Sequence, residues 1–252
     1  MELLINIYIF VLGLIFGSFF NVLGIRVPRK ETLMGRSHCN MCDHKIRWFE
    51  LVPVLGYILI GGKCTKCKTP VSIKYPLMEL LTGTLFLVSY IILQENMVEY
   101  ILVVSFISLM TIITVSDLYY KVVPDIILLV FLPIILTLRI ISDAMPWHVG
   151  IIGGIVAFIF MYVIALYGKM RFKTVALGGG DIKLYFLIGI FLGYNLVFLS
   201  LFFAALSGIV ASIFIRNRKD KYIPFVPFIY FGSMMAYFFG QQIIDWYVSL
   251  FL

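Results

Sequence analysis

The sequence predicts an all-α polytopic membrane protein of about eight transmembrane helices, and three observations carry that prediction. Of its 252 residues, 62% are hydrophobic and only 13% charged, with a mean hydropathy of +1.04, far from the balance of a water-soluble globular chain. Apolar runs long enough to cross a bilayer recur from one end to the other. The cations alternate as well: of 20 Lys and Arg, all but Arg139 fall in every second loop.

The apolar runs cover residues 3–25, 76–93, 100–116, 126–141, 149–167, 182–192, 196–215 and 224–250. By the positive-inside rule the cation-loaded loops are cytoplasmic, so both termini lie outside the cytoplasm. The chain then divides into a first transmembrane helix (1–25), a cytoplasmic insert (26–75) and a membrane core (76–252). The formal net charge of +7 follows from this topology and suits anionic lipid headgroups; it is not read as a nucleic-acid footprint. Met1 and Glu2 stand where a signal peptide carries a basic region, so the first run is read as a retained helix.

In the first run Gly13 and Gly17 lie four apart on one helix face, a close-packing pattern in membranes. Asn21 continues that face and needs a hydrogen-bond partner inside the bundle; ordinary packing is favoured over a catalytic role. Arg26 and Pro28 mark the boundary with the insert.

The insert holds all four cysteines of the chain, as Cys39 with Cys42 and Cys64 with Cys67. Two C-x-x-C pairs fit a tetrahedral four-thiolate zinc site, structural in kind, and make the insert zinc-ribbon-like. Disulfides are the rival, disfavoured in loops that face a reducing compartment. His38 and His44 flank the first pair and are read as bystanders. Metal would supply folding energy that so short an insert lacks. Between the pairs, residues 48–60 are apolar enough to rest on the membrane surface.

Glu79 falls just inside the second run, where an acidic side chain either pairs with a cation or lines a site. Asp117 ends the third run. Asp125 follows Pro124 and reads as the N-cap of the next helix, though it also competes with Asp117 for a chemical role. Gly178, Gly179 and Gly180 then lead into Asp181 and Lys183. Three glycines let backbone approach closely, and the run from 182 to 192 is too short to cross a bilayer, which places Asp181 near the membrane edge. An Asp that merely caps a helix is the plainer reading. A second carboxylate on the same face, Asp117, argues against it. Two close carboxylates share a proton, so one can activate water while the other protonates a scissile carbonyl. Pro224 and Pro227 open the last run and set its entry angle.

Taken together these motifs resemble the type IV prepilin peptidases, membrane aspartic proteases of the GxGD kind. The resemblance runs in order through Gly17, Ser18, Asn21, Arg26 and Pro28, the paired cysteines, Lys74, Tyr75, Pro76 and Glu79. It continues through Asp117, Pro124, Asp125, Gly178, Asp181, Lys183, Pro224 and Pro227. It implies a multi-pass protein of a prokaryotic cell membrane that removes leaders from prepilins and pseudopilins at the cytoplasmic face, serving type IV pili or protein secretion. It also implies N-methylation of the new amino terminus with S-adenosylmethionine, in the part linked to the four cysteines. Asp117 and Asp181 match the catalytic pair. Leu177, Val226 and Gly56 depart from the family's frequent residues. The competing class is a membrane transporter or scaffold with a zinc-ribbon anchor, which broken helices in two symmetric halves would favour. No such symmetry is visible.

Overall fold

A computed structural model describes residues 1–39, 41–172, 178–215 and 223–250. Leu177 and five of the loop cations, Lys173, Arg216, Arg218, Lys219 and Lys221, lie outside the described residues. The chain divides into two compact units, Met1–Tyr119 and Tyr120–Leu252.

In the first unit, α1 (Glu2–Arg26) and α3 (Lys74–Leu93) pack against one another, and α4 (Met97–Tyr120) carries an almost wholly buried apolar surface. The expected glycine face is the contact. A side chain at Gly13 would run into Gly83 of α3, and one at Gly17 into the backbone of Glu79. Asn21 finds its partner too: its Nδ2 donates to the Tyr75 carbonyl at 3.2 Å. Thr82 and Thr111 join α3 to α4 through their hydroxyls at 3.3 Å. Lys74 donates to the Leu118 carbonyl at 3.2 Å and lies over the Tyr119 ring, so a cation covers the C-terminal end of α4. Between α1 and α3 the insert contributes a 3-10 turn (Trp48–Leu51) and a short α2 (Leu55–Leu59).

The second unit contains α5 (Asp125–Ile141), α6 (Trp147–Phe172), α7 (Gly179–Ile215) and α8 (Val226–Ser249). The runs 182–192 and 196–215 are joined in α7, which breaks at Gly193 (φ 75°, ψ 170°) between them. That dihedral pair is open only to glycine at little cost. The break frees carbonyls at the end of the first half, and buried Arg139 of α5 donates to one of them, Phe191, at 2.9 Å. Helices α6 and α7 meet backbone to backbone where Gly153 and Gly154 face Gly189. Pro227 lies in the first turn of α8, where its missing N–H costs nothing.

The expected apolar segments are therefore present as α1, α3, α4, α5, α6, the two halves of α7, and α8. Among the described residues five helices are long and apolar enough to cross a membrane.

Candidate functional site

The insert is built from two knuckles with the same internal wiring, offset along the chain. Cys39 N–H donates to the His44 carbonyl at 2.9 Å and Asp43 N–H to the Cys39 carbonyl at 3.0 Å. In the second knuckle Cys64 N–H donates to the Thr69 carbonyl at 2.9 Å and Lys68 N–H to the Cys64 carbonyl at 3.0 Å. Asp43 and Lys68, each just after the second cysteine of its pair, both take positive φ, 50° and 59°. Each turn aims two sulfurs the same way.

The four sulfurs lie within 4.8 Å of one another, with Cys39 and Cys67 3.7 Å apart and Cys42 and Cys64 3.9 Å apart. A tetrahedron with metal–sulfur bonds of about 2.3 Å has edges of about 3.8 Å, so the donor set fits a four-thiolate ion. The cysteines are free thiols and not disulfides. Their acidities differ sharply. Hydrogen bonds with the Thr69 hydroxyl and backbone hold Cys67 down to about 6. Although the His44 backbone draws Cys42 down, loss of solvent and the three neighbouring thiols push it up to about 12. A divalent ion would bind all four sulfurs as thiolates. His44 meets Thr65 instead of the sulfur cluster, consistent with a bystander.

Glu50 ties the knuckles to the apolar linker. It accepts from the Thr65 hydroxyl and from Arg47 N–H, each at 2.7 Å. Its carboxyl lies below the usual range: desolvation raises it, but these two bonds and nearby His44 and Arg47 outweigh that. Gly56 has a local reason to lack a side chain, because a Cβ there would meet the Glu50 carbonyl.

Glu79 is 7% exposed, accepts from Val54 N–H at 2.8 Å, and has no ion-pair partner among the described residues. It borders a half-open cavity of about 460 Å³ lined by the insert, α1, α3 and Tyr119 of α4. Sequence reasoning missed Val54, whose backbone meets Glu79; its only signal is the following glycine.

Asp117 lies buried near the end of α4 in the first unit. Asp181 lies in the first turn of α7 in the second, with its N–H on the Gly178 carbonyl at 3.1 Å and its carboxylate against the Gly178 backbone. A side chain at Gly180 would strike Val123, so close approach explains that glycine. Asp125 differs from expectation. Pro124 occupies the N-cap, Asp125 is the first residue of α5, and no side-chain cap is made. Its carboxylate instead takes both bonds of Lys183, at 2.8 and 2.9 Å, because a cation two residues beyond Asp181 outcompetes the local amides.

The fold and these features define a class: an all-α polytopic membrane protein with a zinc-ribbon-like insert whose four cysteines could hold a metal ion, and with carboxylates at helix ends. A model of the bacterial peptidase A24 N-terminal domain matches residues 11–93, and one of the type IV leader peptidase family matches residues 104–213. The chain is 36% identical over 247 residues to a prepilin leader peptidase/N-methyltransferase of Bacillus subtilis (strain 168), covering 96% of this chain and 97% of that protein. A protein of the same description from Vibrio cholerae is 31% identical over 257 residues, covering 94% and 98%, and one from Neisseria gonorrhoeae 27% over 274, covering 95% and 93%. No solved structure gives a significant match. The chain belongs to the type IV leader peptidase family. The four cysteines and Glu79 fall in the first matched region; Asp117, Asp125, Asp181 and Lys183 fall in the second.

Proposed function

We propose that the protein removes the leader from type IV prepilins and pseudopilins at the cytoplasmic face of the cell membrane and N-methylates the new amino terminus. The observation that carries this is the near full-length similarity to proteins described as having both activities. It does not favour the transporter or scaffold reading.

In this reading Asp117 and Asp181 act as a pair, each supplied by the end of a membrane helix. With one proton between them, the ionised member takes a proton from water as it attacks the scissile carbonyl. The other gives its proton to the carbonyl oxygen. Collapse of the tetrahedral species breaks the C–N bond, and a proton passes to the leaving amine. Lys183, through Asp125, braces the first turn of α7 and so the position of Asp181. Gly178, Gly179 and Gly180 leave room for the substrate backbone beside that carboxylate.

Cys39, Cys42, Cys64 and Cys67 hold one zinc ion that fixes the two knuckles. S-adenosylmethionine supplies an activated methyl group when bound. The insert, residues 26–75, is the part linked to methylation, residues 1–25 are the first membrane helix, and residues 76–252 are the peptidase core.

The test is incubation of the purified protein with a prepilin and S-adenosylmethionine, followed by mass measurement of the product. Loss of the leader and gain of one methyl group on the new terminus are expected. An uncleaved prepilin, with properly folded enzyme, would overturn the proposal.

A further inference from the structure

We propose that Glu79 receives the α-amine of the cleaved substrate during methyl transfer, at the floor of the cavity between the insert and helices α1 and α3. This rests on the reading of the protein as an N-methyltransferase. The cavity is about 460 Å³, within the usual range for nucleotide-sized ligands, and Asn21, Tyr57, Tyr75, Glu79 and Tyr119 are among its walls. It lies wholly within the first unit.

Three observations point to a cationic guest. Glu79 is more than nine-tenths buried inside an apolar helix, with no cation beside it among the described residues. A carboxylate so placed is costly to keep unless something positive visits it. The Tyr57 and Tyr75 rings share the same cavity and suit a cationic ligand by their π-faces, while the Tyr119 ring already carries Lys74.

The third observation is strain. Val54 adopts φ 60° and ψ −53°, and Leu55 N–H closes onto the Pro53 carbonyl at 2.6 Å, a γ-turn of the rare kind. Positive φ is an outlier for a β-branched residue, and such strain concentrates where a site has to be held open in one geometry. Here the turn aims Val54 N–H at Glu79, and Ser18 lines the same cavity. This fixed donor holds the carboxylate in place before any ligand arrives.

The chemistry decides which cation belongs there. The new terminus begins as an ammonium and gives up one proton to water before its nitrogen attacks the methyl carbon of a sulfonium donor. The N–C bond forms as the C–S bond breaks. The electron pair stays on sulfur, leaving a neutral thioether and a secondary ammonium. Positive charge therefore moves from sulfur to nitrogen in the transition state. A carboxylate beside the nitrogen favours that movement; one beside the sulfur opposes it.

The test uses full-length protein in detergent, as wild type, Glu79→Gln and Glu79→Asp, with zinc content and leader cleavage as controls. Glu79→Gln is expected to slow methylation of a pre-cleaved pilin amino-terminal peptide about a hundredfold, with cleavage and zinc unchanged, and Glu79→Asp to restore part of the rate. Binding supplies a readout without turnover. Wild type should prefer the free-amine peptide over its N-acetylated twin by about tenfold, and Glu79→Gln should lose that preference while still binding S-adenosylhomocysteine. Retained amine preference in Glu79→Gln overturns the proposal, as does loss of S-adenosylhomocysteine binding, which places Glu79 at the donor. A joint fall of cleavage, zinc and methylation also overturns it, in favour of a structural role. A wild type that cleaves but transfers no methyl refutes the underlying reading instead; the peptide preference then decides by itself whether Glu79 receives the amine.

Discussion

Substituting asparagine for Asp125 removes one charge and keeps the side chain's shape, which makes it the sharpest comparison with Asp181. The Asp125–Lys183 pair is well formed, at 2.8 and 2.9 Å, but its side chains are 62% and 54% exposed. An ion pair that open to solvent contributes about 0–1 kcal/mol. If all of it went into positioning the first turn of α7, its loss would slow cleavage by no more than about fivefold, at about 1.4 kcal/mol per tenfold. Asp181→Asn removes a group proposed to exchange protons with water or carbonyl, and should lower the rate about a thousandfold or more. Asp117→Asn should match it. The assay is prepilin cleavage followed by mass, alongside the unfolding midpoint of each variant. Should Asp125→Asn lose cleavage as completely as Asp181→Asn while Asp117→Asn retains it, Asp125 is the true partner and the reasoning fails.

Elemental analysis should find about one zinc per chain, and Cys64→Ser should lose it. That variant should also lose methylation while cleavage persists at least in part; equal loss of both in a folded protein would show the activities to be inseparable. Arg139→Met should lower stability by about 1–3 kcal/mol, because the Phe191 carbonyl beside the break in α7 loses its donor; denaturant unfolding in detergent measures it. Gly189→Val should cost about 1–3 kcal/mol in the same assay, since its Cβ would run into the Gly153 carbonyl.

Much of this architecture was legible in the sequence because membranes impose simple rules. Hydropathy located each apolar segment to within a few residues, and the cysteine spacing announced a cluster whose sulfurs do converge. Asn21 was readable as a side chain in need of a partner, since a lone amide inside a bundle must find one. What escaped was pairing across long stretches of chain. Nothing local tells Asp125 that Lys183 will sit on it, so the proline before it suggested a cap. The γ-turn at Val54 was hidden for a related reason. Val54 N–H meets Glu79 of a different helix, a contact far along the chain that the residue's own preference does not signal.

The two knuckles have one more effect, on the stretch of chain strung between them. An ion joining them would close residues 43–63 into a ring, and its binding, available only to the folded insert, would offset the chain entropy that folding loses. The insert can then keep its shape without spending its large apolar side chains on a private interior. Trp48, Leu51, Leu55, Ile58 and Leu59 all remain outward and open. Set on a bilayer surface, they would act as a float, holding the ring at the depth of the lipid headgroups.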